Sequence, residues 1–183
     1  MFQGGHDPAS FRQGVTAIGP RVRFAPIPEW RNFSVQSTLS FPVGKNLAGT
    51  SNSPYIDWNG ISFLTQLFND KTLGSNFSLF TELDFFIEDI GPSSGNHANR
   101  FSTPVTAIIS YFPNQKTTLY ALGGFSPFWQ STFDYFMQGG FGGKYQFTPN
   151  FEIELLYTGF TNKFLNETGG KAATYNIGIR SNF

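Results

Sequence analysis

The sequence predicts an all-β fold, an antiparallel up-and-down barrel, and three observations carry that prediction. Apolar residues recur at every second position, the connections between the resulting segments alternate in length, and charge is scarce while aromatic side chains are abundant. A period of two places successive side chains on opposite faces of an extended strand, whereas an amphipathic helix would repeat near 3.6. The alternation starts near Gln13. Phe33, Val35, Leu39, Phe41 and Val43 share one face, and Ser34, Gln36, Thr38 and Ser40 the other. Phe77, Leu79, Leu83, Phe85 and Ile87 oppose Ser78, Glu82, Asp84 and Glu88, with Phe80 and Phe86 intruding on the polar side. Phe151, Ile153, Leu155 and Tyr157 alternate with Glu152, Glu154 and Thr158, and Tyr175, Ile177 and Ile179 with Asn176, Gly178 and Arg180.

Nine strands result, near 13–25, 33–43, 61–69, 76–88, 101–112, 117–128, 136–147, 151–160 and 172–183. Short connections fall near Pro26–Asn32, Asp70–Ser75, Pro113–Lys116 and Thr148–Asn150. Mostly longer ones fall near Gly44–Gly60, Asp89–Arg100, Trp129–Tyr135 and Thr161–Lys171. One rim is tight and the other loopy, as in a transmembrane β-barrel with short turns on one side of the membrane and long loops on the other.

Composition narrows the class. Charged residues make up 13% of the 183-residue chain, against about 25% in an ordinary soluble domain, while aromatics reach 18% and 23 of them are Phe. Zero net charge removes the basic surface that a nucleic-acid partner requires, and the absence of cysteine excludes disulfide scaffolds and zinc–thiolate sites. No apolar run approaches the 18 residues of a membrane helix. The polar faces hold charged, small or glycine residues and the apolar faces Phe, Leu, Ile, Val and Tyr, so the apolar side is expected to meet lipid. Aromatics also gather at both rims: Trp30, Phe33, Tyr111, Phe112, Tyr145, Phe147, Phe151 and Phe183 at one, Trp58, Trp129, Phe133 and Tyr135 at the other. The competing reading is a soluble all-β protein with an unusually aromatic core.

The final strand, ending at Phe183 with Tyr175, Ile177 and Ile179 on the same face, resembles the C-terminal assembly signature of Gram-negative outer-membrane β-barrel proteins. Ser181 departs from that pattern, which favours an apolar residue there. The style of turns and strands is similar to that of small barrels and short porin-like transporters. The resemblance implies an integral outer-membrane location, outer-membrane lipid and the barrel assembly machinery as partners, and a short-turn rim in the periplasm. The first strand then starts outside. Met1–Arg12 reads as the remnant of an extracellular loop and 13–183 as the barrel, with a further strand expected before residue 13, since such barrels carry even strand numbers. Strands 13–25 and 172–183 are then expected to present unpaired edges. A closed nine-stranded barrel is the rival.

The inward charges are the residues that could carry function. A three-residue loop at Thr148–Asn150 places Lys144 opposite Glu154 and Gln146 opposite Glu152, with Arg180 inward on the next strand; Arg21 and Arg23 share a face, as do Glu82, Asp84 and Glu88. These nine charged residues are expected to line the lumen, either as a salt-bridge ladder that plugs it or as a filter that sorts small solutes by charge. Only two histidines exist, His6 beside Asp7 and His97 near Asp89, Ser93, Ser94 and Asn96, and neither lies in a barrel-enzyme motif. The sequence therefore predicts no enzyme, cofactor or metal site, with a hydrolase using His97 or a barrel whose loops bind a partner as alternatives. Gly139–Gly143 carries no Lys-Ser/Thr opening a helix, so it reads as close packing or curvature in a barrel wall rather than a phosphate loop.

Overall fold

A computed structural model of the chain describes residues 14–45, 47, 56–57, 59–91, 99–162 and 170–181. All its regular elements are strands: β1 (Ala17–Ile18), β2 (Arg21–Phe24), β3 (Phe33–Pro42), β4 (Ile61–Thr72), β5 (Phe77–Ile90), β6 (Arg100–Ser102), β7 (Val105–Asn114), β8 (Thr117–Trp129), β9 (Phe133–Thr148), β10 (Phe151–Thr161) and β11 (Lys171–Ser181). The eleven form one antiparallel up-and-down sheet. They correspond to the nine expected segments, two of which are split where proline removes an N–H from the ladder. Pro20 separates β1 from β2, and Pro104 separates β6 from β7. The proline carbonyls still bond across the breaks: Leu39 N donates to Pro20 O at 3.1 Å and Asp84 N to Pro104 O at 2.8 Å.

Several boundaries differ from the expectation. β4 runs to Thr72, and β9 begins at Phe133 rather than near residue 136. The connection between β8 and β9 is therefore only Gln130–Thr132, closed by Gln130 N donating to Thr132 O at 3.2 Å, and is as tight as those at the opposite rim. Between β4 and β5 the pairing jumps from Ile61↔Ile90 to Phe63↔Ile87, so two residues face Ser62. Asp89 absorbs this bulge with a left-handed φ of 59°.

Directly paired residues share a face of the sheet, so the register sorts the side chains into two sets. One face carries Phe24, Val35, Leu67, Leu83 and Val105, and farther along Leu119, Phe141, Leu155 and Ile177. The other carries Arg23, Gln36, Gln66 and Asp84, and farther along Thr118, Lys144, Glu154 and Gly178. Burial is inverted relative to a protein that folds around an oily core. Among the described residues the buried hydrophobics are Leu47 and Tyr135 alone, whereas Glu88, Ser102, Ser126 and Thr158 are all buried on the polar face. Phe141 and Leu155 lie on strands with neighbours on both sides and are still 65% and 57% exposed. The polar face is thus the sheltered one, as in a sheet that curls around its polar side.

Aromatic rings cluster at both ends of the apolar face. Tyr145, Phe147 and Phe151 contact one another at centroid distances of 4.8 and 5.7 Å, with Phe77–Tyr111 at 4.8 Å and Trp30–Phe33 at 5.8 Å, all at the short-turn rim. Phe101, Trp129, Phe133 and Tyr135 form a continuous row at the other rim, with spacings of 5.6, 5.4 and 6.4 Å. The two rims are those expected from sequence; Trp58 and Phe183 lie outside the described residues. Among those residues β1 and β2 pair only with β3, and β11 only with β10, leaving two open edges.

Candidate functional site on the polar face

Three tiers of polar contacts cross the sheltered face. The first lies near the short-turn rim of β8–β11. The β9–β10 register is Lys144↔Glu154 and Gln146↔Glu152, as the sequence predicts, although the turn itself is Pro149–Asn150 with Thr148 paired to Phe151. The register then shifts past Phe147, and this irregularity restores the alignment that a three-residue loop would produce. Lys144 Nζ lies 3.7 Å from Glu154 Oε2, and Arg180 Nη1 lies 3.6 Å from Glu152 Oε1. Both distances exceed the 2.7–2.9 Å of a tight charge-assisted bond, so these pairs are loose.

Tyr120, which the sequence reading passed over, reaches the same carboxylate from two strands away. Its hydroxyl donates to Glu154 Oε1. The ring crosses β9 at Gly142, its register partner, where a Cβ would stand 2.7 Å from Tyr120 Cζ. A glycine in the middle of a strand is unfavourable by propensity, and here it makes the crossing possible. On the far side of Glu154 stands Gly178, and a recess of about 200 Å³ opens between Glu152, Glu154 and Arg180.

The second tier crosses β2–β5. Gln36 Nε2 donates to Gln66 Oε1 at 2.8 Å, and Gln66 Nε2 donates to Glu82 Oε1 at 2.6 Å. Asp84 pairs in register with Gln66, and its Oδ1 is buried with no hydrogen-bond partner. Arg21 donates to Thr38 Oγ1 at 3.2 Å and Arg23 to Ser34 Oγ at 3.0 Å, the latter guanidinium also lying 4.9 Å from the Phe68 ring centroid. The expected basic and acidic residues share this face, but hydroxyls, amides and a ring meet them rather than one another. In the third tier Glu88 pairs with Arg100 at 3.4 Å, and the guanidinium sits 4.3 Å from the Phe128 centroid.

All nine predicted lumen residues, Arg21, Arg23, Glu82, Asp84, Glu88, Lys144, Glu152, Glu154 and Arg180, therefore lie on one face. Lys144–Glu154 and Glu152–Arg180 come together as pairs; Arg100, Gln66 and Tyr120 are added by the fold. Tyr175, Ile177 and Ile179 of the C-terminal signature stand on the opposite face at 80%, 76% and 69% exposure. His6, His97 and Phe183 lie outside the described residues, within which no group of His, Cys, Asp or Glu side chains is arranged to hold a metal ion.

The chain matches no family model, no curated protein and no solved structure. Its chemistry is legible in the contacts themselves. Carboxylates, cations, amides and hydroxyls are spread across the face, the ion pairs loose and the amide bonds tight, and among the described residues no nucleophile is held by a base and an orienting third group.

Proposed function

We propose that this chain forms the wall of a β-barrel in a bacterial outer membrane, and that its polar face lines a passage for small polar solutes. The observation that carries this reading is the inversion of burial, with Glu88, Ser102 and Thr158 sheltered while Phe141 and Leu155 stay exposed. Leaving a large apolar side chain in water forgoes roughly 1.5–3 kcal/mol, and the apolar face carries many of them. Hydrocarbon against that face removes the penalty. The aromatic clusters at the two rims suit the two membrane interfaces. The C-terminal resemblance supports an outer membrane, with its lipid and the barrel assembly machinery as partners.

The charged tiers support a filter, since rings of charged side chains sort ions and small molecules in pores. A barrel of about this many strands has a narrow lumen, which restricts the solutes to small ones. Reconstituted into planar bilayers, where hydrocarbon requires the two open edges to be paired, the purified chain is expected to give stepwise conductance with a preference between cations and anions. A chain that inserts, judged by protection from added protease, and yet conducts nothing would overturn the passage.

A second reading has its own observation. Phe68, Phe80, Phe86, Phe128, Phe136 and Phe160 occupy positions on the polar face, with Phe68 and Phe80 stacked at 5.9 Å and Phe136 and Phe160 in contact at 6.3 Å. Rings of that size favour a filled interior, in which case the loops of the long-connection rim become the working surface. Insertion without conductance selects this reading.

A further inference from the structure

The cluster on β8–β10 holds one carboxylate with two competing donors. Glu154 accepts from Tyr120 through Oε1 and faces Lys144 through Oε2, the latter at a loose 3.7 Å. A lysine directly opposite a glutamate on an antiparallel pair has the reach to close to a contact pair, in which the two charges largely cancel for anything passing by. Here it does not close. Tyr120 holds Oε1 from β8 across β9, and the lysine and glutamate side chains stay about a third exposed, at 30% and 32%.

The reach of Tyr120 depends on a single absent side chain. Its Oη, like its Cζ, lies 2.7 Å from where a Gly142 Cβ would be, so any other residue at 142 must displace the ring. Gly139, three residues earlier on the same strand, belongs to the opposite face and has open space around its Cβ position. Glycine at 142 is thus required both by the Tyr120 ring and by the β10 backbone, since Leu155 O would stand 2.5 Å from its Cβ, while glycine at 139 is not required by packing. Gly178, opposite Glu154, keeps the other flank of the carboxylate free of side-chain bulk and opens the recess shared with Glu152 and Arg180.

We infer that Tyr120 is a positioning residue for the charge of the lumen: through Gly142 it holds the Glu154 carboxylate apart from Lys144, so that the glutamate is presented to passing cations rather than neutralised. This rests on the passage proposed above. It assigns the discrimination between cations and anions to a neutral residue that carries no charge of its own, and it gives Gly142 a functional role beside the one it has in packing β9 on β10.

The test compares variants of the full chain in planar bilayers under a salt gradient, reading the reversal potential. Glu154→Gln is expected to lower the preference for cations. Tyr120→Phe keeps the ring and every charge, and is expected to shift the reversal potential in the same direction as Glu154→Gln. Gly142→Ala, whose methyl meets the β10 backbone as well as the ring, is expected to shift the potential in that same direction, and Gly139→Ala to leave the potential where it was. A reversal potential unmoved by Tyr120→Phe but moved by Glu154→Gln would overturn the inference. If the unaltered chain inserts and conducts nothing, the passage fails, and positioning is read instead from the side-chain carboxyl 13C resonance of Glu154 in detergent micelles. Tyr120→Phe must then move that resonance, and Gly139→Ala must not; a resonance indifferent to Tyr120→Phe overturns the inference by that route. Should Gly142→Ala fail to fold, Tyr120→Phe alone decides.

Discussion

The two halves of the polar face sequester carboxylates by different means. On β3–β5, Glu82 is held by an amide relay from Gln36 through Gln66, and the neighbouring inward positions are filled by large rings, Phe68, Phe80 and Phe86. On β8–β11, Glu152 and Glu154 each face a cation, and the space is shared out by glycine: Tyr120 lies across Gly142, and Gln138 lies across Gly124, whose Cβ would stand 2.6 Å from Gln138 Nε2. The first half is packed by its own side chains and satisfies charge with neutral donors. The second is thinned by glycine so that long polar side chains lie flat across neighbouring strands. A polar face therefore does not need one chemistry to be sheltered: amides serve in one half and cations in the other, with Asp84 Oδ1 in the first half left without a hydrogen-bond partner.

The contrast between the two faces is broken most severely by a charge on the apolar one. Leu155→Arg, at a 57% exposed position next to Glu154, is expected to cost roughly 2–4 kcal/mol if residue 155 lies near the bilayer midplane, measured by denaturant unfolding from lipid vesicles. Glu154→Gln, one residue away on the other face, is expected to cost much less in the same assay. Equal costs at the two positions would erase the distinction between the faces.

Within the polar face, the amide relay is expected to be the less forgiving half. Gln66→Leu removes the donor to Glu82 and the acceptor for Gln36 together; a fully buried polar group left unmet costs about 1–3 kcal/mol, and these half-buried ones set the expected loss toward the lower end. Gln36→Leu leaves the bond to Glu82 intact, so unfolding in micelles is expected to place it well below Gln66→Leu. A reversed order would mean that the relay does not run in the direction described.

The cation-paired half sharpens the comparison through coupling. Lys144→Ala alone is expected to cost more than expected from the double variant Lys144→Ala/Glu154→Ala, because the single change leaves a half-sheltered carboxylate without its cation. Cross-strand pairs of this kind contribute about 0.2–1 kcal/mol, and partial exposure places this one toward the lower part of that range. The interaction energy comes from a double-mutant cycle, and strict additivity would show that the two side chains do not meet. The smallest effect is expected for Arg180→Gln, whose side chain is 63% exposed: a stability change within about 0.5 kcal/mol in the same unfolding assay.

Most of the sheet was legible because alternation is a local property. The nine segments, their faces and the pairing of Lys144 with Glu154 all follow from period and turn length, which act between neighbours in sequence. The breaks at Pro20 and Pro104 were not predicted: proline cannot donate to a ladder, but the period runs straight through both positions. Phe133 and Asp134 read as loop because the connection there was taken as long, yet their pairing with Trp129 and Phe128 extends β9 to within three residues of β8. What could not be read was contact across an intervening strand. Tyr120 and Glu154 stand 34 positions apart and meet only because β9 between them is glycine at the crossing point. Gly142 was the visible trace of that contact, but a glycine announces space without naming what fills it. Gln66 was silent for a related reason: an amide at an inward position looks like any other polar residue until its two neighbours are known.

The up-and-down order of the sheet also bears on how the chain folds. Apart from the proline breaks, each strand pairs with the strand before it and the strand after it, and no strand waits for a partner from a distant part of the chain. The loop that must close ranges from the turn at Pro149–Asn150 to the connection over 43–60, and because closure entropy grows only slowly with loop length the barrier to adding a strand stays low. Each hairpin is amphipathic as soon as it forms, with one apolar and one polar side, and can settle at a lipid–water boundary before its successor exists. Assembly can thus advance strand by strand in chain order, with the growing edge always the one that the next segment is about to cover.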